Sequence, residues 1–166
     1  MMSKLPIGSF NEQLYVDARL YFAIKHPLDW RRLQIPVSSP EYRADTIRWH
    51  VSDPEQQGRV AGEMLIRSTP TNAKIALTDM LSTFLADKPE LQTGQVEKQE
   101  LPVGNALKLL GHDKNRGRLT LAIKGQGRDF IISLDFPSNR FEELLPIFQD
   151  VVKSFAEVTP PASKAE

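Results

Sequence analysis

The sequence predicts an α+β domain in which an antiparallel β-sheet is covered by two amphipathic helices, in the order four strands, helix, four strands, helix. Three observations carry this. Short runs that alternate apolar and polar residues recur along the chain between Gly- and Pro-bearing turns, the pattern of half-buried antiparallel strands. Two stretches switch to apolar spacings of three and four residues, the period of a helix with one buried face. The composition is that of an ordinary globular domain: 166 residues, 40% hydrophobic and 25% charged, enough to bury a core without disulfides or metals.

Leu14 to Asp17 and Leu20 to Lys25 read as two strands around an Asp17-Ala18-Arg19 turn, and Pro27 takes the chain out of the sheet because it has no N–H for a ladder. Leu33 to Tyr42, with Pro36 and Pro40, reads as a loop. Ile47, Trp49 and Val51 share one face of a third strand, and Val60 to Ser68 forms a fourth. A helix is expected from Asn72 to Asp87, capped by Thr71 or Asn72 and stopped by Pro89, with Leu77, Met80, Leu81, Phe84 and Leu85 as its stripe. Thr93 to Leu101, Ala106 to Leu110, Leu119 to Ile123 and Phe130 to Phe136 follow as strands, the first polar and near an edge. Gly104, Gly117 and the Gly125-Gln126-Gly127 turn join them, with glycine expected to supply positive φ. The last helix buries Phe141, Leu144, Leu145, Phe148, Val151, Val152 and Phe155, with Asn139 and Glu142 in capping-box spacing and Pro146 as an awkward interior residue. Residues 1–13 are expected to be extended or disordered, 14–157 to form the single domain, and 158–166 to be a disordered tail.

A formal charge of zero argues against a nucleic-acid partner, which draws affinity from an excess of Lys and Arg. The absence of cysteine removes thiol chemistry, disulfides and thiolate metal sites. No stretch has the length and apolarity of a transmembrane segment. The start Met1-Met2-Ser3-Lys4-Leu5 has no signal-peptide run. Two readings follow: a cytoplasmic protein, or one whose native export signal, with a lipid anchor on it, stood before this start.

The segments Tyr15-Val16-Asp17, Phe22-Ala23-Ile24 and Pro27-Leu28-Asp29-Trp30, with Asp135-Phe136-Pro137, Phe141, Phe148 and Val151-Val152-Lys153-Ser154-Phe155 at the other end, form a pattern. It resembles the PsbP-like fold family, which includes the extrinsic PsbP proteins of photosystem II, the Ran-binding import factor Mog and bacterial DcrB-type lipoproteins. The resemblance runs from Leu14 to Phe155 and rests on packing signatures rather than on active-site residues. It implies an α/β/α sandwich and, for many bacterial members, export through a lipidated cysteine that this chain does not contain.

Candidate chemistry is sparse. His26, His50 and His112 have no ligand-type partner at helical spacing, so no metal is assigned. No nucleophile elbow is present, and Glu142-Glu143 and Asp53-Glu55 read as solvated pairs rather than an acid/base couple. Gly125-Gln126-Gly127 joins two strands and lacks the phosphate-loop pattern, and Asn115-Arg116-Gly117-Arg118 is turn chemistry. No catalytic residue and no cofactor is therefore assigned. The remaining cluster is Lys25, His26, Trp30, Arg31, Arg32, Arg43, Arg48 and His50, several of which are expected to share one sheet face or rim. Arg and Trp are preferred interface anchors, and guanidinium groups grip carboxylates. The expected function is a non-enzymatic protein-binding or assembly domain of a bacterial cell-envelope protein, periplasmic or membrane-anchored. The alternatives are a small-ligand carrier or enzyme using a cleft between sheet and helix, and a cytoplasmic chaperone for a secreted effector.

Overall fold

Antiparallel pairing joins all neighbouring strands of two sheets. The computed structural model describes residues 12–53, 55, 56, 58–85, 96–112 and 114–158. A three-stranded sheet has the order β1 (Glu12–Asp17), β2 (Phe22–Pro27), β10 (Ala156–Glu157). The seven-stranded sheet begins with β3 (Arg31–Arg32), β4 (Thr46–Ser52) and β5 (Val60–Pro70). It continues through β9 (Arg128–Pro137), β8 (Arg116–Lys124), β7 (Gly104–His112) and β6 (Val96–Leu101). Two helices, α1 (Leu77–Leu85) and α2 (Phe141–Lys153), complete the described elements. The α+β class and the two covering helices agree with the sequence reading. The strand count differs: β3 and β10 are two-residue strands too short to show alternation, and the strands fall into two sheets rather than one.

Period-two alternation places the helices on opposite faces of the large sheet. Leu119, Leu121 and Ile123 of β8 and Phe130, Ile132, Leu134 and Phe136 of β9 point toward α2 and the small sheet, where they meet Leu144, Phe148, Val151 and Val152. Ala122 and Ile131 point the other way, into a smaller cluster with Leu107, Leu109 and Leu81 of α1. The main core is knitted by aromatic rings: Phe22 stacks on Phe155 at 5.7 Å between centroids, and Phe130 meets Phe155 edge-on at 4.9 Å.

α1 starts later than predicted, at Leu77. Asn72 Oδ1 accepts from Lys74 N at 3.0 Å and its carbonyl from Ile75 N at 3.0 Å, so residues 72–76 form a turn that competes with helix. Thr71 instead donates to Asp129 Oδ1 at 2.8 Å, tying this turn to β9. Asp79 Oδ2 accepts from Ala76 N at 3.3 Å, closing the first turn of the helix. Asp87 and Pro89 lie outside the described residues, as do residues 1–11, 86–95 and 159–166.

The predicted cap of the last helix is also corrected. Ser138–Arg140 is a single 3-10 turn that leads into α2, so Asn139 lies within that turn and makes no capping bond. Pro146 stays inside α2, and the carbonyl it leaves without a helical partner is that of Glu142, an exposed residue. The glycine expectation holds at Gly104 but not at the other turns. Gly104 and Gly58 have positive φ, at 147° and 84°, while Gly117 and Gly125 do not. Gly117 supplies space, since a Cβ there would lie 2.7 Å from the Phe136 ring.

The half-buried Tyr15 and the buried His26 titrate away from their ordinary values. Tyr15 is pushed up to about 12 by burial and by its hydrogen bond to Asp17. His26 is lowered from 6.5 by burial, against the opposing bond from Nδ1 to the Pro27 carbonyl at 2.8 Å. Because a carbonyl only accepts, Nδ1 carries the proton of the neutral ring.

Two predictions follow from this packing. Phe148 is fully buried, so Phe148→Ala should cost about 3–5 kcal/mol in chemical denaturation; a loss below about 1 kcal/mol would show that α2 is not integral to the core. His26 binds its proton more weakly folded than unfolded, so its contribution to stability is present above 6.5 and lost as pH falls below it. Denaturation midpoints should drop through that window in the parent protein and less in His26→Phe; parallel curves would contradict the assignment.

Candidate functional site

Among the described residues α1 packs mainly on β7, β8 and β9 and reaches β5 through Phe84 beside Arg67, leaving β3, β4 and most of β5 open on that side of the sheet. Register lines up one polar row there across five strands: Arg31, His50, Glu63, Asp135 and Arg118 are successive Cα partners. Arg118, whose side chain is 9% exposed, grips Asp135 with Nε and Nη2 at 2.9 and 3.0 Å. This bidentate geometry gives strong charge-assisted bonds. Arg48 pairs with Glu63 at 3.3 Å. The guanidinium groups of Arg67 and Arg118 lie 5.0 and 5.8 Å from the Phe84 ring of α1. The inner part of the row is therefore neutralised.

At its outer end the balance changes. Asp29, Arg31, His50, Ser52, Arg59 and Val60 line an open groove of about 450 Å³. Its single carboxylate, Asp29, accepts from Ser52 Oγ at 2.7 Å, and Arg59 donates to Gln56 at 3.0 Å. Among the described residues, Arg31 and His50 make no side-chain hydrogen bond or ion pair. Arg32, on the reverse face of the same edge, stands 5.5 Å from the Tyr15 ring, and a second groove of about 200 Å³ along this edge is lined by Arg32 with Arg19, Glu41, Tyr42, Arg43 and Arg48. Arg19 donates to the Ala44 carbonyl at 2.6 Å and Arg43 pairs with Asp45 at 3.6 Å. The edge strand β3 thus carries basic groups on both faces.

The structure brings Arg31, Arg32, Arg43, Arg48 and His50 of the sequence-predicted cluster to this rim. His26 and Trp30 are each 3% exposed and belong to the core, where His26 packs on Trp49 and offers no surface to a partner. Lys25 lies on β2 of the small sheet, exposed, with its backbone N–H bonded to Ser154 Oγ at 2.8 Å. Arg19, Arg59 and Glu63 were not singled out from sequence. Glu63 shared the parity of Leu65 and Arg67 in its strand, which was the available signal; Arg19 and Arg59 sit in turns and become neighbours only through the fold.

Asp53 and Arg140 form a separate cluster between the β4–β5 connection and α2. Arg140 bonds Asp53 at 3.2 Å, Glu55 at 3.0 Å and Glu143 at 3.3 Å. The Glu55 N–H and then Arg140 hold the Asp53 carboxyl below its usual range, while the hydrogen bond with Glu55 raises Glu143. The reading of Asp53-Glu55 as a solvated pair is thereby corrected for Asp53, which is buried and tied through Arg140 to Glu55 and Glu143.

No family model matches the chain, and no curated protein matches it. Solved structures do. Cyanobacterial PsbP (CyanoP) of Synechocystis sp. PCC 6803 superposes with a TM-score of 0.61 at 15% identity, over 95% of this chain and 98% of that one. A protein of Bacteroides thetaiotaomicron superposes with a TM-score of 0.55 at 11% identity, over 90% of this chain and 50% of that one. LpqN of Mycobacterium tuberculosis, described as involved in cell envelope biogenesis, gives a TM-score of 0.47 at 17% identity, over 89% of this chain and 91% of that one. At such identities likeness is one of fold, and the fold of this chain is PsbP-like.

Proposed function

We propose that this chain is a non-enzymatic protein-binding domain of the bacterial cell envelope, and that the basic β3 edge holds an acidic segment of its partner. The observation that carries the reading is the charge distribution. The chain has no net charge, yet arginines concentrate at one sheet edge, where Arg31 and His50 have no internal partner among the described residues. Guanidinium groups recognise carboxylates in a planar, two-pronged geometry, and an edge strand also offers backbone groups to an extended peptide. Screening limits such attraction to about 8 Å at physiological salt, so the partner must touch this edge rather than be steered from afar.

The space between the large sheet and α2 is filled by Phe22, Phe130, Phe148, Phe155 and Trp49, all fully or almost fully buried. That packing favours surface binding over a carrier or enzyme with a cleft at this place. The envelope assignment rests on the bacterial members of the family that the sequence resembles. No helix among the described residues is long and apolar enough to cross a membrane.

A photo-crosslinking residue at position 31, introduced in the native host, should join the chain to one protein whose crosslinked segment is acidic. Arg31→Glu with Arg32→Glu should weaken binding of that protein roughly tenfold or more, about 1.4 kcal/mol, while Lys98→Glu on the exposed opposite edge should leave it unchanged. Equal effects of the two edges, or an uncharged crosslinked segment, would contradict the proposal.

A further inference from the structure

The β8–β9 hairpin turns at Gln126-Gly127 and is closed by Gly125 N donating to the Arg128 carbonyl at 2.8 Å. The two tip N–H groups take no part in the ladder, and both converge on one carboxylate. Gln126 N donates to Glu157 Oε1 at 2.6 Å and Gly127 N to Glu157 Oε2 at 2.9 Å. Two donors on two oxygens of one anion make a bidentate grip, and convergent backbone N–H groups form an anion-binding concavity. The seat is cleared for the ligand: a Cβ on Gly125 would collide with Glu157 Oε1 and lie 2.9 Å from the Arg128 carbonyl oxygen. Gly125 has no positive φ, so the need for glycine there is one of space.

Glu157 arrives on β10, whose other ties are few. β10 pairs with β2 only through Ala156 with Ala23 and Glu157 with Phe22, and Val158 N donates to the Tyr21 carbonyl at 2.8 Å. Beneath it lies an open groove of about 290 Å³ lined by Pro102, Val103, Gln126, Phe155, Ala156 and Glu157. We propose that the 125–127 turn is a carboxylate-binding site whose tethered ligand is Glu157, and that this contact fastens the C-terminal strap β10 to the main sheet. The site is independent of the basic β3 edge. The pairing of β10 with β2 and the Val158 N–H bond hold Glu157 pre-organised over the seat, so free carboxylates compete poorly while it is present and enter once it is removed.

The test uses amide spectra of the full chain, with acetate as the probe and chloride at equal ionic strength as the control. In Glu157→Gly, the Gln126 and Gly127 amides should shift saturably with acetate and not with chloride. In the parent protein the same amides should not respond. In Glu157→Gly combined with Gly125→Ala the acetate response should be lost. Glu157→Gln keeps the side chain's size, and there both amide protons should move upfield. An acetate response equal in parent and Glu157→Gly, no acetate-specific response in Glu157→Gly, or a full response with Gly125→Ala would each overturn the proposal. If Glu157→Gly does not fold, unchanged amide positions in Glu157→Gln overturn it.

Discussion

Strands β8 and β9 are buried on both faces, and the other elements are placed by how they cover them. Toward α2 they present Leu121, Ile123, Phe130 and Ile132; toward α1 they present Ala122 and Ile131. The polar residues interleaved with these are satisfied in pairs, Thr120 with Ser133 at 3.3 Å and Arg118 with Asp135. The nine described residues of helix α1 span about 13 Å, and neighbouring strands lie about 4.8 Å apart. It can therefore shield about three strands. It shields β7, β8 and β9, and the rest of that face has to be made of side chains that tolerate water.

This division explains why charge gathers where it does. The outward positions of β4 and β5 carry Arg48, His50, Glu63 and Arg67, continuous in register with the Arg118–Asp135 pair. Inner members neutralise each other, and the excess of positive charge is left at β3. Charged residues on an edge strand also discourage pairing between copies of a protein. The same arginines that keep this edge from unselective pairing suit it to a partner with complementary charge, because selectivity against wrong partners and attraction to the right one use one device. At the middle of the sheet, Glu157 seats its carboxylate on the β8–β9 turn.

The sequence made the alternation of β4, β5, β8 and β9 and the stripe of α2 legible, because each is long enough for periodicity to show. It also placed β6 at an edge through its polar residues, and β6 is the last strand of the large sheet. It did not reveal β3 and β10, since two residues have no period. The start of α1 was misread because Asn72 uses its side chain to make a turn, a choice composition does not show. The candidate site was half legible. Arg31, Arg32, Arg48 and His50 stood close in sequence and meet at the rim, whereas His26 and Trp30 stood among them and face the core. Parity within β2 would have separated His26, which shares the inward face of Phe22 and Ile24. Register between strands, which joins Glu63 to His50 and Asp135, is set by pairing and cannot be read from either strand alone.

If two-sided burial of β8 and β9 holds the molecule together, local stability must fall from that hairpin toward the periphery. Native-state amide hydrogen exchange, resolved by residue, measures this directly. The slowest amides should lie at Leu119 to Ile123 and Phe130 to Leu134, exchanging only by global unfolding, while those of α1, β3 and β10 exchange through local opening. Exchange at β8 and β9 as fast as at α1 would contradict the account.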